Sequence, residues 1–257
     1  MFVQDIVDQF ASQSILVTGD TYLDRELYGN VTRLSPEAPV PVVKINSRRT
    51  VPGGAANVAK NISSLGGKAL LLGLFGDDPL SQEMARELPS ENIQLLNLAP
   101  SNYRLPEKYR IFAANQQLLQ MFHRTMDPAE IPSLPPVLEL KDAGEIQGKV
   151  LVVYDQGYGF VNQRLIETLG HLARAKELKL FIDANPNHVS WYGKAALYTF
   201  NADESLQAAQ ILGKSARTVE EAGDVLRSQL ESDVLITLGA EGMLILKGTK
   251  PAQKILA

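Results

Sequence analysis

The sequence predicts an α/β fold: a central, mostly parallel sheet with helices on both faces, and a small β lid beside it. Three observations carry this. From residue 150 onward, short apolar runs alternate with helical stretches, the pattern of parallel strands with crossover helices. Polar residues repeatedly follow the apolar runs, at Asp20 and Asp24, Asp155, Asp183 and Asn185, Asn201 and Glu204, and Gly239 and Glu241. In open α/β sheets, ligands bind outside the carboxyl ends of the strands. Residues 40–45 form a β-branched run with Pro39 and Pro41 at its start, which suits a strand at an edge outside the main sheet.

Taken in order, residues 15–18 are a buried strand ending at Gly19-Asp20. Residues 40–45 are the proline-flanked strand, after the turn Ser35-Pro36-Glu37-Ala38-Pro39. Gly53-Gly54 then open a helix with Asn57 and Lys60 at its start and Val58, Ile62 and Leu65 on an apolar face. Residues 68–76 read as a core strand, 79–88 as a helix and 93–98 as a strand. Residues 109–122 read as a hairpin with Ala114-Asn115-Gln116 at its tip. Pro128, Pro132, Pro135 and Pro136 make 127–136 a surface loop. Beyond it, 150–154, 178–182, 197–200, 234–238 and 243–246 are strands, and 161–176, 202–212 and 219–230 are helices. Residues 1–257 read as one domain, with the lid drawn from about 22–45 and 108–122.

Composition narrows the function. The 257 residues are 45% hydrophobic, enough for a substantial core. A formal charge of −4 with no basic run argues against a nucleic-acid partner. The absence of cysteine excludes disulfides and thiolate chemistry and fits a cytoplasmic protein. Residues 1–13 lack a basic start and a long apolar core, unlike a signal peptide. No apolar run is long enough to span a membrane. The first strand leads into Gly19-Asp20-Thr21-Tyr22 rather than Gly-x-Gly-x-x-Gly, which disfavours a dinucleotide oxidoreductase.

Pro52-Gly53-Gly54-Ala55-Ala56-Asn57 is the most informative stretch. Glycines let a ligand approach the main chain, and a helix start presents free N–H groups. An oxygen-rich ligand against Gly53 and Gly54, bonded by Asn57, is one reading; a turn capping an amphipathic helix is the other. Likewise Asn201-Ala202-Asp203-Glu204 reads on its own as a helix cap closed by Glu204.

The chain resembles the ribokinase/PfkB family of carbohydrate kinases. The resemblance rests on residues 17–25 (Val-Thr-Gly-Asp-Thr-Tyr-Leu-Asp-Arg), on Arg33-Leu34-Ser35-Pro36-Glu37-Ala38-Pro39-Val40-Pro41, on the Gly53-Gly54 segment and on Asn115-Gln116-Gln117. Within the family the likeness is to kinase domains that phosphorylate a heptose 7-phosphate for lipopolysaccharide precursors. The resemblance implies a ribokinase-like fold, ATP and Mg²⁺ as cofactors, a sugar-phosphate substrate and a possible homodimer through the lid. It implies that Asp24 holds sugar hydroxyls and that Gly53, Gly54 and Asn57 complete the pocket. Lys108 and Arg110, with Arg33 a further candidate, would face the substrate phosphate; solvated surface charges are the alternative for all three. Asn201, Ala202, Asp203 and Glu204 match the family's Asn-x-x-Glu motif at the metal-bound phosphates of ATP, with Glu204 reaching the metal through water. Thr237 and Gly239 match the turn lining the nucleotide. Asp183-Ala184-Asn185-Pro186 stands where relatives have Asp-Pro-Lys, without the lysine. The family's Gly-Ala-Gly-Asp segment, which carries the general-base Asp, is expected shortly after Lys254. That places the base beyond Ala257, so no catalytic base is assigned within 1–257. A non-catalytic sugar- or nucleotide-binding module is the alternative to a working kinase.

Overall fold

The structure, a computed structural model, describes residues 3–89, 91–124 and 148–257. The Pro-rich stretch 127–136, expected as a surface loop, lies outside the described residues. A short helix α1 (Val3–Val7) precedes β1 (Ser14–Gly19). β2 (Thr21–Leu34) and β3 (Pro41–Gly54) follow, then α2 (Ala55–Ser64), β4 (Lys68–Gly73), α3 (Pro79–Arg86) and β5 (Ile93–Asn97). β6 (Glu107–Ala113) and β7 (Gln116–His123) form a hairpin. The later part holds β8 (Val150–Tyr154), α4 (Gln163–Ala175), β9 (Lys179–Asp183), β10 (Leu197–Asn201), α5 (Ala202–Ile211), α6 (Val219–Leu230), β11 (Asp233–Thr237), β12 (Met243–Leu246) and β13 (Gln253–Ile255).

Nine strands form the central sheet in the order β13-β12-β11-β10-β9-β8-β1-β4-β5. From β5 through β11 every pairing is parallel; β12 and β13 add an antiparallel edge. β1 sits between β4 and β8, and its last four residues are buried. That follows from its apolar Ile15-Leu16-Val17 run, since a strand covered on both faces does not alternate. The flanking helices are started by side chains: Asp78 accepts from Leu80 and Ser81 ahead of α3, Asn162 from Leu165 ahead of α4, and Thr218 from Glu221 ahead of α6. Such caps are worth about 1 kcal/mol each. α4 buries Leu165, Ile166, Leu169 and Ala173, one face at helical spacing.

Four strands form a second sheet in the order β3-β2-β6-β7, with β3 and its Pro41 at an edge. β2 pairs antiparallel with β3 and parallel with β6. The β6–β7 turn is made by Ala114 (φ 50°) and Asn115 (φ 60°), two positive φ values in a row, as a tight hairpin matched to strand twist requires. Arg25 anchors this sheet to the body. Its guanidinium forks onto Glu83 of α3 at 2.8 and 2.9 Å, while its Nε donates to Glu107 of β6 at 2.7 Å. The planar fork matches a carboxylate with two parallel bonds.

Gly53 and Gly54 do lead into a helix, with Gly54 as the cap of α2 at Ala55, and they also end β3. Two expectations are corrected. α2 packs through Ala55, Ala56, Ala59 and Ser63, while Val58 and Ile62 are half-buried and Leu65 is exposed. Small residues there let the helix lie close to the sheet. The strand expected over 68–76 ends at Gly73.

Candidate functional site

One half of the candidate site lies on the second sheet. Strand alternation puts Tyr22, Asp24 and Glu26 of β2 on one face. The parallel register sets Asp24 against Lys108, and the hairpin register sets Lys108 against Phe122. Asp24 Oδ2 lies 3.0 Å from Arg110 Nη1, and the same nitrogen is 3.8 Å from Glu26 Oε1. Lys108 Nζ sits 5.4 Å from the centre of the Tyr22 ring, within cation–π range. Asp24 is 6% exposed and Lys108 7%. Burial raises the Asp24 pKa against the opposing pull of Arg110 and Lys108. Burial lowers that of Lys108, with Arg110 adding repulsion and Asp24 opposing.

Asp24 Oδ1 is buried and has no hydrogen-bond partner among the described residues. Leaving such an acceptor unmet costs about 1–3 kcal/mol. The face thus offers a free acceptor for a hydroxyl beside two cations suited to an anion. Lys108 is buried and Arg110 is bonded, so neither is a solvated surface charge. Arg33, in contrast, is exposed near the far end of β2, and the structure gives it no place in this cluster.

Gly53 pairs with Tyr22 and Gly54 with Thr21. A Cβ on Gly53 would overlap the Tyr22 ring. Gly54 has φ +65°, and a Cβ there would overlap the Asp20 carbonyl oxygen, which accepts from Ala55 N–H at 2.9 Å. Both glycines are required by this close packing at the root of the sheet. Asn57 is exposed in the first turn of α2.

The other half lies at the carboxyl ends of β8 to β11. Asp155, Asp183, Asn201, Glu204 and Thr237 line one cavity of about 420 Å³. Asn201 Oδ1 accepts from Glu204 N–H at 2.9 Å, and Glu204 Oε2 accepts from Asn201 N–H at 2.7 Å. This is a complete capping box at the start of α5, so the local alternative read from the sequence is present in full. Ala202 and Asp203 continue that turn, with Asp203 exposed. Thr199 Oγ1 donates to Asp183 Oδ1 at 2.6 Å. Burial raises the pKa of Asp183 and of Glu204. Gly239 lies just outside the cavity lining, exposed, with open space around it. Ala257 is exposed just past β13. Its methyl side chain cannot take a proton, and it is not among the residues lining the cavity.

Two groups that sequence reasoning left without a role tie the site together. Asp20, 2% exposed, accepts N–H bonds from Gln156 (2.9 Å), Tyr158 (3.1 Å) and Phe160 (3.1 Å). It joins the end of β1 to the loop after β8. Burial pushes its pKa up to about 6, against those three donors. Asp155 accepts from Gly157 N–H (2.9 Å) and Tyr192 Oη (2.7 Å) and lies 2.8 Å from His188 Nδ1. Its His188 and Tyr192 partners come from a separate turn, Pro186–Trp191 and the residue after it, which no local sequence signal connects to it.

Among the described residues, no group of three or more His, Cys, Asp or Glu is placed to cage a metal ion. The cavity carboxylates are nonetheless hard oxygen donors. They fit a Mg²⁺ that keeps its waters and leans on phosphate oxygens.

A mostly parallel sheet with polar groups along its carboxyl edge, and a second sheet rooted at that edge, is an architecture suited to holding small ligands. The chain belongs to the pfkB family of carbohydrate kinases, whose family model matches residues 12–255. It is 33% identical over 250 residues to the bifunctional protein HldE of Vibrio parahaemolyticus, covering 97% of this chain and 52% of that protein. It is 34% identical over 247 residues to the HldE of Pseudomonas putida, covering 95% and 50%. The chain thus spans about half the length of the curated relatives it matches. Among solved structures, Escherichia coli phosphofructokinase-2 in complex with substrates and products superposes with a TM-score of 0.71 at 17% identity, covering 95% of this chain and 78% of that one. A carbohydrate kinase from Agrobacterium tumefaciens gives 0.68 at 20% identity, covering 92% and 74%. These likenesses bear out the ribokinase-like fold.

Proposed function

We propose that this chain binds a sugar phosphate on the second-sheet face and Mg²⁺-ATP in the β8–β11 cavity, for transfer of the γ-phosphoryl group to the sugar. The sugar we infer is D-glycero-D-manno-heptose 7-phosphate, phosphorylated at its anomeric hydroxyl for lipopolysaccharide core precursors. One observation carries the reading: Asp24 holds a buried oxygen without a partner, beside Lys108 and Arg110. A hydroxyl would satisfy the acid, and a phosphate would meet the cations. Gly53, Gly54 and Asn57 would bound this pocket. Asn201, Ala202, Asp203, Glu204, Thr237 and Gly239 would surround the nucleotide, with Glu204 reaching Mg²⁺ through water. The ion, when bound, neutralises phosphate charge. The residues assigned here hold ligands, and none up to Ala257 is assigned as the general base. Exposed Leu118, Leu119 and Met121 on β7 would be covered in a homodimer through the second sheet, which sedimentation velocity reads directly.

Titration calorimetry tests the sugar half. Asp24→Ala is expected to weaken heptose 7-phosphate binding by about 1–3 kcal/mol, the weight of a lost acceptor, and to leave Mg²⁺-ATP binding in place. Unchanged sugar affinity in that variant would remove Asp24 from the site.

A further inference from the structure

β7 is the outer strand of the second sheet, and Phe122 is its one residue that is not exposed. The register places Phe122, Lys108 and Asp24 in a row across β7, β6 and β2. Phe122 turns from solvent onto the ring of Tyr158, stacked with centroids 4.0 Å apart and planes 25° from parallel. Tyr158 also meets Tyr22 edge-on, at 5.5 Å and 71°. Tyr22 and Phe122 belong to the second sheet; Tyr158 belongs to the loop after β8, on the body.

That loop is fixed. Asp20 takes three of its backbone N–H groups, including that of Tyr158 itself. A ring mounted on the body is therefore clasped by two aromatic residues of the second sheet, next to the unpartnered oxygen of Asp24. The phenol lies close enough to the Asp24–Arg110 pair to feel both charges: burial, Asp20 and Asp24 raise its pKa, and Arg110 opposes them.

We propose that Tyr158 is a positioning residue for the sugar phosphate. Clasped by Phe122 and Tyr22, it holds the second sheet against the body and closes one wall of the Asp24 pocket. This deepens the sugar-phosphate reading and rests on it. Small-ligand sites are mostly apolar and aromatic surfaces with a few placed polar groups, and here Tyr22, Phe122 and Tyr158 supply the surface that Asp24, Lys108 and Arg110 punctuate. Arg25 and Glu83 tether the root of the sheet, and the aromatic clasp sets how far it swings.

The test is titration calorimetry with heptose 7-phosphate and, separately, Mg²⁺-ATP, on the 257-residue chain and on Tyr158→Ala, Tyr158→Phe, Phe122→Ala and Asp24→Ala. Tyr158→Ala and Phe122→Ala are expected to weaken sugar binding about 3- to 10-fold, the weight of an aromatic pair. Tyr158→Phe keeps the rings and should bind like the parent chain, and all three should bind Mg²⁺-ATP normally. Amide exchange along β7 should quicken in the two alanine variants. Phe122 lies on an outer strand, so its variant remains informative if Tyr158→Ala fails to fold. Loss of sugar binding in Asp24→Ala, with parental binding in Phe122→Ala and Tyr158→Ala, overturns the positioning role alone. Unaltered binding in Asp24→Ala, or none by the parent chain, overturns the sugar-phosphate reading and the positioning role with it.

Discussion

Asp24 finds Arg110 on a strand far along the chain, whereas Asn201 finds Glu204 three residues on. The two halves of the candidate site are built on that difference. On the second sheet, charged side chains are held by partners that only tertiary structure supplies, and one acceptor is left open. At the β8–β11 edge, polar groups are already satisfied by caps and neighbouring strands. The first half keeps a buried acceptor unmet, at some expense of stability. In the second, the residues that would serve the nucleotide also hold a helix end, so a substitution there acts on folding and binding together.

Asp20 joins the two halves, and breaking it should have the largest effect. Asp20→Ala strands three N–H groups of the 156–160 loop. Set against relief of a buried carboxylate, the net loss is expected near about 2 kcal/mol, with sugar and nucleotide binding falling together. Loss of one activity alone would separate the halves more than the geometry suggests. The pH dependence has a definite sign. Asp20 is raised in the folded state from 3.8 to about 6, so the folded chain holds a proton that the unfolded chain releases. Its contribution to stability is full below about 4 and is lost as pH rises to about 6. Thermal melting across that window should show this slope in the parent chain and not in the variant.

Glu204→Gln sharpens the comparison on the nucleotide side. Glutamine keeps an acceptor for Asn201 N–H, so α5 stays capped while the charge is lost. ATP binding should weaken in Mg²⁺ more than without it. Asn201→Ala removes the cap itself and should lower stability by about 1 kcal/mol. Equal effects of Glu204→Gln with and without metal would leave the capping role alone. Burial raises both Glu204 and Asp183. The ionised forms suit the metal, so Mg²⁺-ATP binding should strengthen as pH climbs through and just above the ordinary carboxylate range.

The smallest effect is expected at the hairpin tip. Ala114 sits at φ 50°, where a Cβ is strained, so Ala114→Gly should raise the melting temperature modestly, by about 0.5 kcal/mol of stability. A loss instead would mean that the chain entropy glycine adds outweighs the strain it relieves.

The same contrast decides what the sequence revealed. β8, β12 and α6 were legible to the residue, because apolar runs and helical periodicity are local signals. The Asn201–Glu204 pair was legible for the same reason. β2 fell within the expected lid but was given no strand bounds of its own, although Tyr22-x-Asp24-x-Glu26-x-Tyr28 carries a period of two. Its charged outer length is a strand only because β3 and β6 flank it. The burial of Lys108 follows from a parallel register that no window of sequence contains. The clasp on Tyr158 joins three separate segments, and no local pattern marks it. The resemblance named Asp24, Lys108 and Arg110, and the structure supplied the reason they belong together.

Parallel pairing of β2 with β6, Leu23 opposite Glu107, makes Asp24 and the Lys108–Arg110 pair of the second-sheet face products of distant stretches. Between them run β3, α2, β4, α3 and β5. Asp24 and its cationic partners Lys108 and Arg110 thus come together only across that span, whereas residues 150–237 hold every group lining the β8–β11 cavity in one continuous piece. The cavity half is continuous in the chain yet still hangs its first loop on Asp20; the second-sheet half exists only as a property of the whole chain.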